Sequence, residues 1–193
     1  MGQCNYIPHK QNSQHDKYEK EKKMSTLLEI TLNKLNKSTI DAFPDTKKRQ
    51  NITGSVNVSR VKFIPFKSSN ALKIEAETLS GTNKHQCSMV FDDVFYEESD
   101  SNQTKTFKGV DDENYHIHQL DRTINDVKVS CSCMDFQFRF ARSNFSIGGL
   151  DGNPPPTYVK KTDRPDVNPK SAPGMCKHLI KLTDHLQLTK LLS

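Results

Sequence analysis

Hydrophobic residues near the start of the chain recur at helical spacing. The first apolar stripe consists of residues four, four and three positions apart, namely Met24, Leu28, Leu32 and Leu35. This spacing places them on one face of a helix, which we predict over residues 24–37. We expect the stripe to pack on the domain rather than on a partner, because such stripes usually face a core. The helix should end before Phe43-Pro44.

From Ser55 the hydrophobic period changes to two, which indicates strands. The alternating apolar positions form three runs, within residues 56–63, 72–76 and 87–91, and the third run extends as far as Tyr96. Residues 67–70 and 80–83 carry the small and polar residues of tight turns. This pattern predicts an antiparallel meander, part of a sheet between residues 52 and 133.

The segment between the meander and the last strand is polar. We predict an exposed acidic loop over residues 97–113, with Phe107 as an anchor. Tyr115 and Ile117 then alternate with His116 and His118 on a short strand. The two histidines share a face and could form a metal pair, but no thiol or carboxylate lies at ligand spacing nearby, so an ordinary polar strand face is favoured.

The last third of the chain combines a strand, a proline-rich stretch and a helix. Val127 and Val129 alternate in phase with two cysteines, which predicts a strand. After it, Asp135 caps a short helix, or the alternating phenylalanines continue as a strand; periodicity leaves both open. We predict a long proline-rich loop over residues 134–175, followed by a helix over residues 175–192. Its buried face is formed by Leu179, Leu182 and Leu186.

These elements predict an α+β fold, in which an N-terminal helix, an antiparallel sheet and a C-terminal helix form a single domain over residues 24–193. Residues 1–23 are polar and rich in lysine, which predicts a flexible arm, or alternatively an arm that orders on a partner. The pattern assigns no role to residues 1–50.

Composition narrows the class of protein. The chain has 193 residues, of which 33% are apolar, so much of it must lie at a surface. The net charge of +5 is too small to imply nucleic acid by itself. We expect neither a membrane span nor a secretory leader, because long apolar runs are absent. An odd, sparse set of five cysteines is typical of a reducing compartment.

Four residues form two pairs of metal ligands, Cys131-x-Cys133 and Cys176-x-His178. The first pair stands at a strand end, where residues two apart point to one side, and the second stands at a predicted helix start after Pro173-Gly174. Three thiolates and an imidazole suit a tetrahedral Zn²⁺, and four protein ligands leave no open position for catalysis. We therefore predict one structural zinc ion.

The surroundings of this centre should offset its negative charge. Lys128, Arg139 and Lys177 are candidates, together with backbone N–H groups of the turns. We expect Cys87 to be a buried core thiol and Cys4 to be a residue of the arm.

The ligand pattern resembles the SWIM-type zinc motif, CxC followed by CxH. Its surroundings, from Ser130 to Ala141 and from Asn168 to Leu179, are similar to those of small virion or uncharacterised proteins from large tailed bacteriophages. The 42 residues between the pairs are more than the ordinary motif has. This resemblance implies a structural protein of the head, neck, tail or baseplate, made in the host cytoplasm and in contact with other virion proteins or copies of itself.

A nucleic-acid-binding accessory protein is the alternative, since SWIM motifs elsewhere are associated with DNA or protein contacts. The residues that would contact a strand are Arg139, Arg142, Lys160, Lys161, Arg164 and Lys170. We predict no enzymatic activity and no catalytic residue, because the sequence has no phosphate-binding loop, no HExxH motif and no convincing nucleophile–base pair.

Overall fold

The structure is a computed structural model that describes residues 29–44, 55–156, 163 and 165–193. Within them the chain is an α+β protein, as predicted, and it has three α-helices and two antiparallel sheets where two helices and one sheet were expected. The strands in chain order are β1 (Val56–Phe66), β2 (Ala71–Ser80), β3 (Asn83–Phe91), β4 (Tyr96–Glu97), β5 (Thr104–Lys108), β6 (Asn114–His118) and β7 (Val127–Cys131). The predicted arm over residues 1–23 lies outside the described residues.

Helix α1 spans Leu32–Ala42, so it begins later than the hydrophobic stripe predicts and ends as expected before Phe43. Thr31 is the N-cap, and its hydroxyl accepts a hydrogen bond from the Lys34 N–H at 3.3 Å. Ile30 is drawn away from helical geometry because its carbonyl accepts from the Val127 N–H at 2.7 Å. Leu32 and Leu35 are buried, and the other two stripe residues lie outside the described part of the chain.

The larger sheet has four antiparallel strands in the order β1-β2-β3-β7. The first three form the predicted meander, with turns at residues 67–70 and 80–83. Strand β7 returns from far along the chain and pairs with β3 in a register that sets Met89 opposite Val129. Because Met89 and Val129 are fully buried, this register places the strand that carries Cys131 directly over the core.

The acidic segment is not simply an exposed loop, which corrects the prediction for residues 97–113. Strands β4, β6 and β5 form a second sheet in that order. Phe107 belongs to β5, is 7% exposed and stacks on Tyr115 of β6 at 5.7 Å between ring centroids. The buried side chains of Thr104 and Phe107 stabilise residues 104–108 as a strand of this sheet, although the outward-facing residues remain polar. The predicted third strand ends at Phe91, and Tyr96 opens this second sheet.

A helical segment follows β7, and it settles the alternative between helix and strand. A turn of π-helix at Phe136–Phe140 leads into helix α2, Ala141–Ser146, so the predicted loop over residues 134–175 begins with helix. Phe136 and Phe140 are buried. Asp135 occupies the N-cap position without a capping side-chain bond, and its carboxylate instead pairs with Arg139 at 3.3 Å.

Helix α3, Lys177–Leu188, lies across the larger sheet and contacts all four of its strands. Its inner face, Leu179, Leu182 and Leu186, is fully buried, as the leucine spacing predicts. The chain ends in a short parallel bridge between Leu120 and Leu192 rather than in further helix. No helix in the described ranges combines the length and apolar character that a bilayer crossing requires.

Candidate metal centre

Two chain segments that are distant in sequence converge to form the candidate centre. Cys131 is the last residue of β7, and Cys133 follows just beyond the strand end. Cys176 is the N-cap of α3, and His178 lies in the first helical turn. A strand end and a helix start each fix two side chains, so the backbone itself positions all four donors.

The distances fit one four-coordinate ion. The donor atoms of the four side chains all lie within 4.8 Å of one another. His178 Nδ1 is 3.8 Å from the sulfur of Cys131 and 3.8 Å from that of Cys176. In a tetrahedral zinc site with Zn–S of about 2.3 Å, two sulfurs lie about 3.8 Å apart and a sulfur and a nitrogen about 3.5 Å apart. The residues are therefore positioned to hold one metal ion.

All four side chains are buried, with exposed fractions of 0% for Cys131, 3% for Cys133, 1% for Cys176 and 3% for His178. A centre closed on every side by protein is typical of structural metal sites, whereas catalytic sites keep a position open to water. Across the described ranges this is the only group of three or more histidine, cysteine or acidic side chains placed to bind a metal.

Backbone N–H groups point at two of the sulfurs. The Cys133 N–H donates to the Cys131 sulfur at 3.5 Å, and the Phe136 N–H donates to the Cys133 sulfur at 3.3 Å. Such bonds stabilise thiolate ligands, whose total charge would exceed that of Zn²⁺ by one negative unit. The start of the helical segment therefore supplies a donor to the centre.

The three cations proposed from sequence each contact a polar group outside the four candidate ligands. Lys128 pairs with Asp92 at 2.6 Å, Lys177 donates to the Ser80 hydroxyl at 2.7 Å, and Arg139 pairs with Asp135. Strand register and helix phase direct each long side chain towards a different polar neighbour, so the offset of the centre's charge by these cations stays a prediction.

The thiols share protons unequally when no cation is bound. Hydrogen bonds from the thiols of Cys131 and Cys176 lower the pKa of Cys133 strongly, so the first thiolate forms there. The same contact with Cys133 raises the pKa of Cys131, and burial raises that of Cys176. A bound divalent cation would remove this difference, because it binds thiolates and displaces the protons of all three thiols.

The imidazole of His178 has a one-sided environment. Nδ1 faces the sulfurs, while Nε2 is buried without a hydrogen-bond partner in the described ranges. The ring of His85 lies beside it, with 4.3 Å between centroids. Burial lowers the pKa of His85, which favours the neutral form of this neighbour. Coordination through Nδ1 would leave the proton on Nε2, so the ring fits as a neutral ligand.

Residues outside the motif hold the segment before Cys176. The side chain of Asn144 bonds both backbone groups of Gly174, and the Thr39 hydroxyl accepts from the Met175 N–H at 2.9 Å. The Ser38 hydroxyl donates to the Pro173 carbonyl at 2.7 Å. Sequence analysis missed these supports. A buried asparagine inside an Asn-x-Ser sequon carries no signal of such a role in a single sequence.

Of the six residues predicted to contact nucleic acid, the structure describes three, and their side chains differ in exposure. Arg139 is 14% exposed at its side chain, and its guanidinium lies 4.8 Å from the Phe43 ring centroid. Arg142 is exposed and donates to the Pro155 carbonyl at 3.3 Å. Lys170 is exposed. The remaining residues of the set, Lys160, Lys161 and Arg164, lie outside the described part of the chain.

The paired histidines of β6 bond locally, as the polar-face interpretation expects. His116 Nδ1 lies 2.9 Å from the Thr106 hydroxyl, and His118 Nε2 lies 3.0 Å from a Glu97 oxygen.

No protein-family model, curated protein or solved structure matches this chain.

Proposed function

We propose that Cys131, Cys133, Cys176 and His178 bind one zinc ion whose role is structural. The observation that carries this proposal is the convergence of four buried donors within 4.8 Å from two distant segments. Three soft thiolates and one imidazole select zinc over the oxygen-seeking cations magnesium and calcium. When bound, the ion would join the end of β7 to the start of α3 and so clamp the intervening chain.

The wider role follows as a further part of the proposal. We infer a non-enzymatic interaction protein that serves as a component of a tailed bacteriophage particle. A closed ligand set supports this, because it leaves no position for a substrate. A cavity between α1 and α3 holds about 40 Å³, far below the roughly 300 Å³ of a small-molecule pocket. The resemblance of the ligand pattern and its surroundings to small phage proteins supplies the link to a particle.

The nucleic-acid alternative has less support. One of its proposed contact residues, Arg139, is largely buried against Phe43 and Phe140. Binding to a single-stranded oligonucleotide that weakens steeply with added salt would revive the alternative, since phosphate contacts release counterions. No binding at low salt would remove it.

The zinc proposal is tested by elemental mass spectrometry of purified, reduced full-length protein. The parent should carry one zinc per chain and a Cys131→Ser variant none. A Cys4→Ser variant, which changes a cysteine outside the motif, should keep the metal. Absence of zinc in the parent, or its retention by Cys131→Ser, would overturn the proposed centre.

The virion proposal needs a separate test. Intact particles are purified by density gradient and probed with an antibody against this protein, in parallel with the soluble lysate. Recovery with particles at constant stoichiometry supports a virion component. Recovery in the soluble fraction alone contradicts it and leaves the zinc centre unaffected.

A further inference from the structure

A fourth thiol, that of Cys87, lies directly against the candidate centre without being one of its four proposed ligands. Its sulfur is 3.5 Å from the sulfur of Cys131, and both side chains are buried. Cys87 also contacts the buried hydroxyl of Thr78 at 3.6 Å. The thiol is therefore held on both sides by specific neighbours, of which one is a proposed metal ligand.

Strand pairing brings the two cysteines together. Cys87 of β3 and Cys131 of β7 are directly opposite in the antiparallel register. The Ser132 N–H donates to the Gln86 carbonyl at 2.9 Å, which makes the neighbouring residues the hydrogen-bonded pair and leaves the cysteines at a non-hydrogen-bonded position. At such positions the Cα atoms lie about 4.5 Å apart, and disulfides span about 4.4–6.8 Å between Cα atoms. The strands therefore already hold a spacing that a disulfide accepts.

We propose that Cys87 and Cys131 form an oxidative modification site, at which a peroxide converts the two thiols into a disulfide. The disulfide itself rests only on the strand geometry. Its consequence for a metal rests on the proposed zinc centre, because Cys131 cannot be a thiolate ligand and a disulfide partner at once.

The chemistry uses hydrogen peroxide as the oxidant. The Cys131 sulfur, as the thiolate that the proposed zinc ion binds, attacks one peroxide oxygen; the O–O bond breaks, hydroxide leaves and Cys131 becomes a sulfenic acid. The Cys87 sulfur then attacks the Cys131 sulfur, the S–O bond breaks, and the departing hydroxide takes the Cys87 proton to leave as water. The two thiols together lose two electrons, which the peroxide oxygens accept.

Cys87 thus acts as a resolving thiol for a metal ligand. Without such a thiol, further oxidation of a sulfenic acid leads to sulfinic and sulfonic acids, which ordinary reductants do not reverse. When Cys87 resolves the sulfenic acid, the centre loses Cys131 as a ligand. Cys133, Cys176 and His178 remain, and zinc is released. Reduction of the disulfide restores the fourth ligand. Because both thiols are buried, the reaction is slow and follows local opening of the strand pair.

The test begins with reduced full-length protein loaded with zinc and treated with hydrogen peroxide. Released zinc is followed with a coloured chelator, and disulfides are mapped in unreduced tryptic digests. Trypsin cleaves after Lys128 and Arg139, so Cys131 and Cys133 share a peptide and fragmentation within that peptide must separate them. We expect complete zinc release and a linkage between Cys87 and Cys131, both reversed by dithiothreitol.

The matched variants are Cys87→Ser, which keeps the side-chain volume, and Cys87→Ala, which removes the polar atom. Both should bind as much zinc as the parent before oxidation. After peroxide, dithiothreitol should restore zinc binding in the parent and fail to restore it in either variant. A Cys4→Ser variant should behave as the parent does.

Two outcomes would overturn the proposal: a parent that loses zinc while Cys87 stays a free thiol, as with a linkage between Cys133 and Cys176, or Cys87 variants that recover zinc as fully as the parent. A parent that never carries zinc refutes the proposed metal centre instead. The peptide map of that metal-free protein still decides whether the Cys87–Cys131 linkage forms.

Discussion

The side-chain amide of Asn144 makes two hydrogen bonds to the backbone of Gly174. Its NH₂ donates to the Gly174 carbonyl at 3.0 Å, and its oxygen accepts from the Gly174 N–H at 2.8 Å. Asn144 is fully buried in α2, and Gly174 lies two residues before Cys176. One side chain thus fixes the approach of the second ligand pair to the first.

Replacement of this side chain by Asn144→Ala should lower the free energy of unfolding by about 2–4 kcal/mol, because it leaves two buried backbone groups without partners. Urea denaturation followed by circular dichroism measures the change. The matched control is Asn102→Ala at an exposed loop position, which should change stability by less than about 0.5 kcal/mol. Equal effects of the two substitutions would show that the Asn144 bonds contribute little.

Gly174 has no room for a side chain. A Cβ atom there would collide with the Thr39 hydroxyl oxygen and lie 2.8 Å from the Phe140 ring. Gly174→Ala should therefore cost about 2–3 kcal/mol and weaken zinc retention, since overpacking shifts the backbone before Cys176. Gly81→Ala is the control, because its positive φ of 63° brings strain but no collision. That variant should lose about 1 kcal/mol and keep its zinc.

Substitution of a metal ligand should have a larger effect than either change. Cys133→Ser and His178→Ala should each abolish zinc binding and lower the free energy of unfolding by more than about 4 kcal/mol, because structural zinc contributes directly to folding. Thermal unfolding with metal analysis tests this. His118→Ala, outside the centre, should leave both quantities close to those of the parent. Ligand variants with the same melting temperature as the parent would rule out a structural role for the metal.

Removal of zinc by a chelator should act locally before it acts globally. Hydrogen exchange should accelerate in residues 134–175, which the ion would clamp at both ends, while β1 and β2 stay protected by their long ladder. Re-addition of zinc should restore protection. Uniform acceleration along the chain would indicate that the metal supports the whole fold rather than this segment.

The carboxyl group of Asp184, which lines the small cavity beside α1, gives a pH dependence. Burial raises its pKa, against the opposing charges of Lys181 and Arg122. A carboxyl pKa that is higher in the folded protein contributes stability at acidic pH and loses that contribution as the pH rises through the folded value. Asp184→Asn should therefore melt at a higher temperature than the parent near pH 7, with little difference near about pH 3.

Calorimetry at both pH values checks this prediction. Asp163→Asn at an exposed position is the matched control and should not change the difference between the two conditions. If Asp184→Asn destabilises the protein at neutral pH, hydrogen bonds of the carboxylate outweigh the cost of its burial.

Local patterns along the chain predicted a large part of this structure. Alternation predicted β1, β2 and β3, leucine spacing predicted the buried face of α3, and two ligand pairs predicted which side chains would meet. These features depend on periodicity and short spacings, so a single sequence contains them. Phe107 shows the limit of such patterns. A single apolar residue among polar neighbours does not indicate strand β5, because the ring that packs on Phe107 belongs to Tyr115 on another strand.

The sequence by itself determined the ligand types, their pairing at a strand end and a helix start, and the α+β class, because each depends on neighbouring residues. Only the tertiary structure decided which residues support the centre. Asn144 reaches Gly174 across 30 positions, and Cys87 reaches Cys131 across 44. Such contacts follow from strand register and helix packing, which depend on many weak interactions over the whole chain. The residues that they join therefore show no local sequence pattern that predicts the contact.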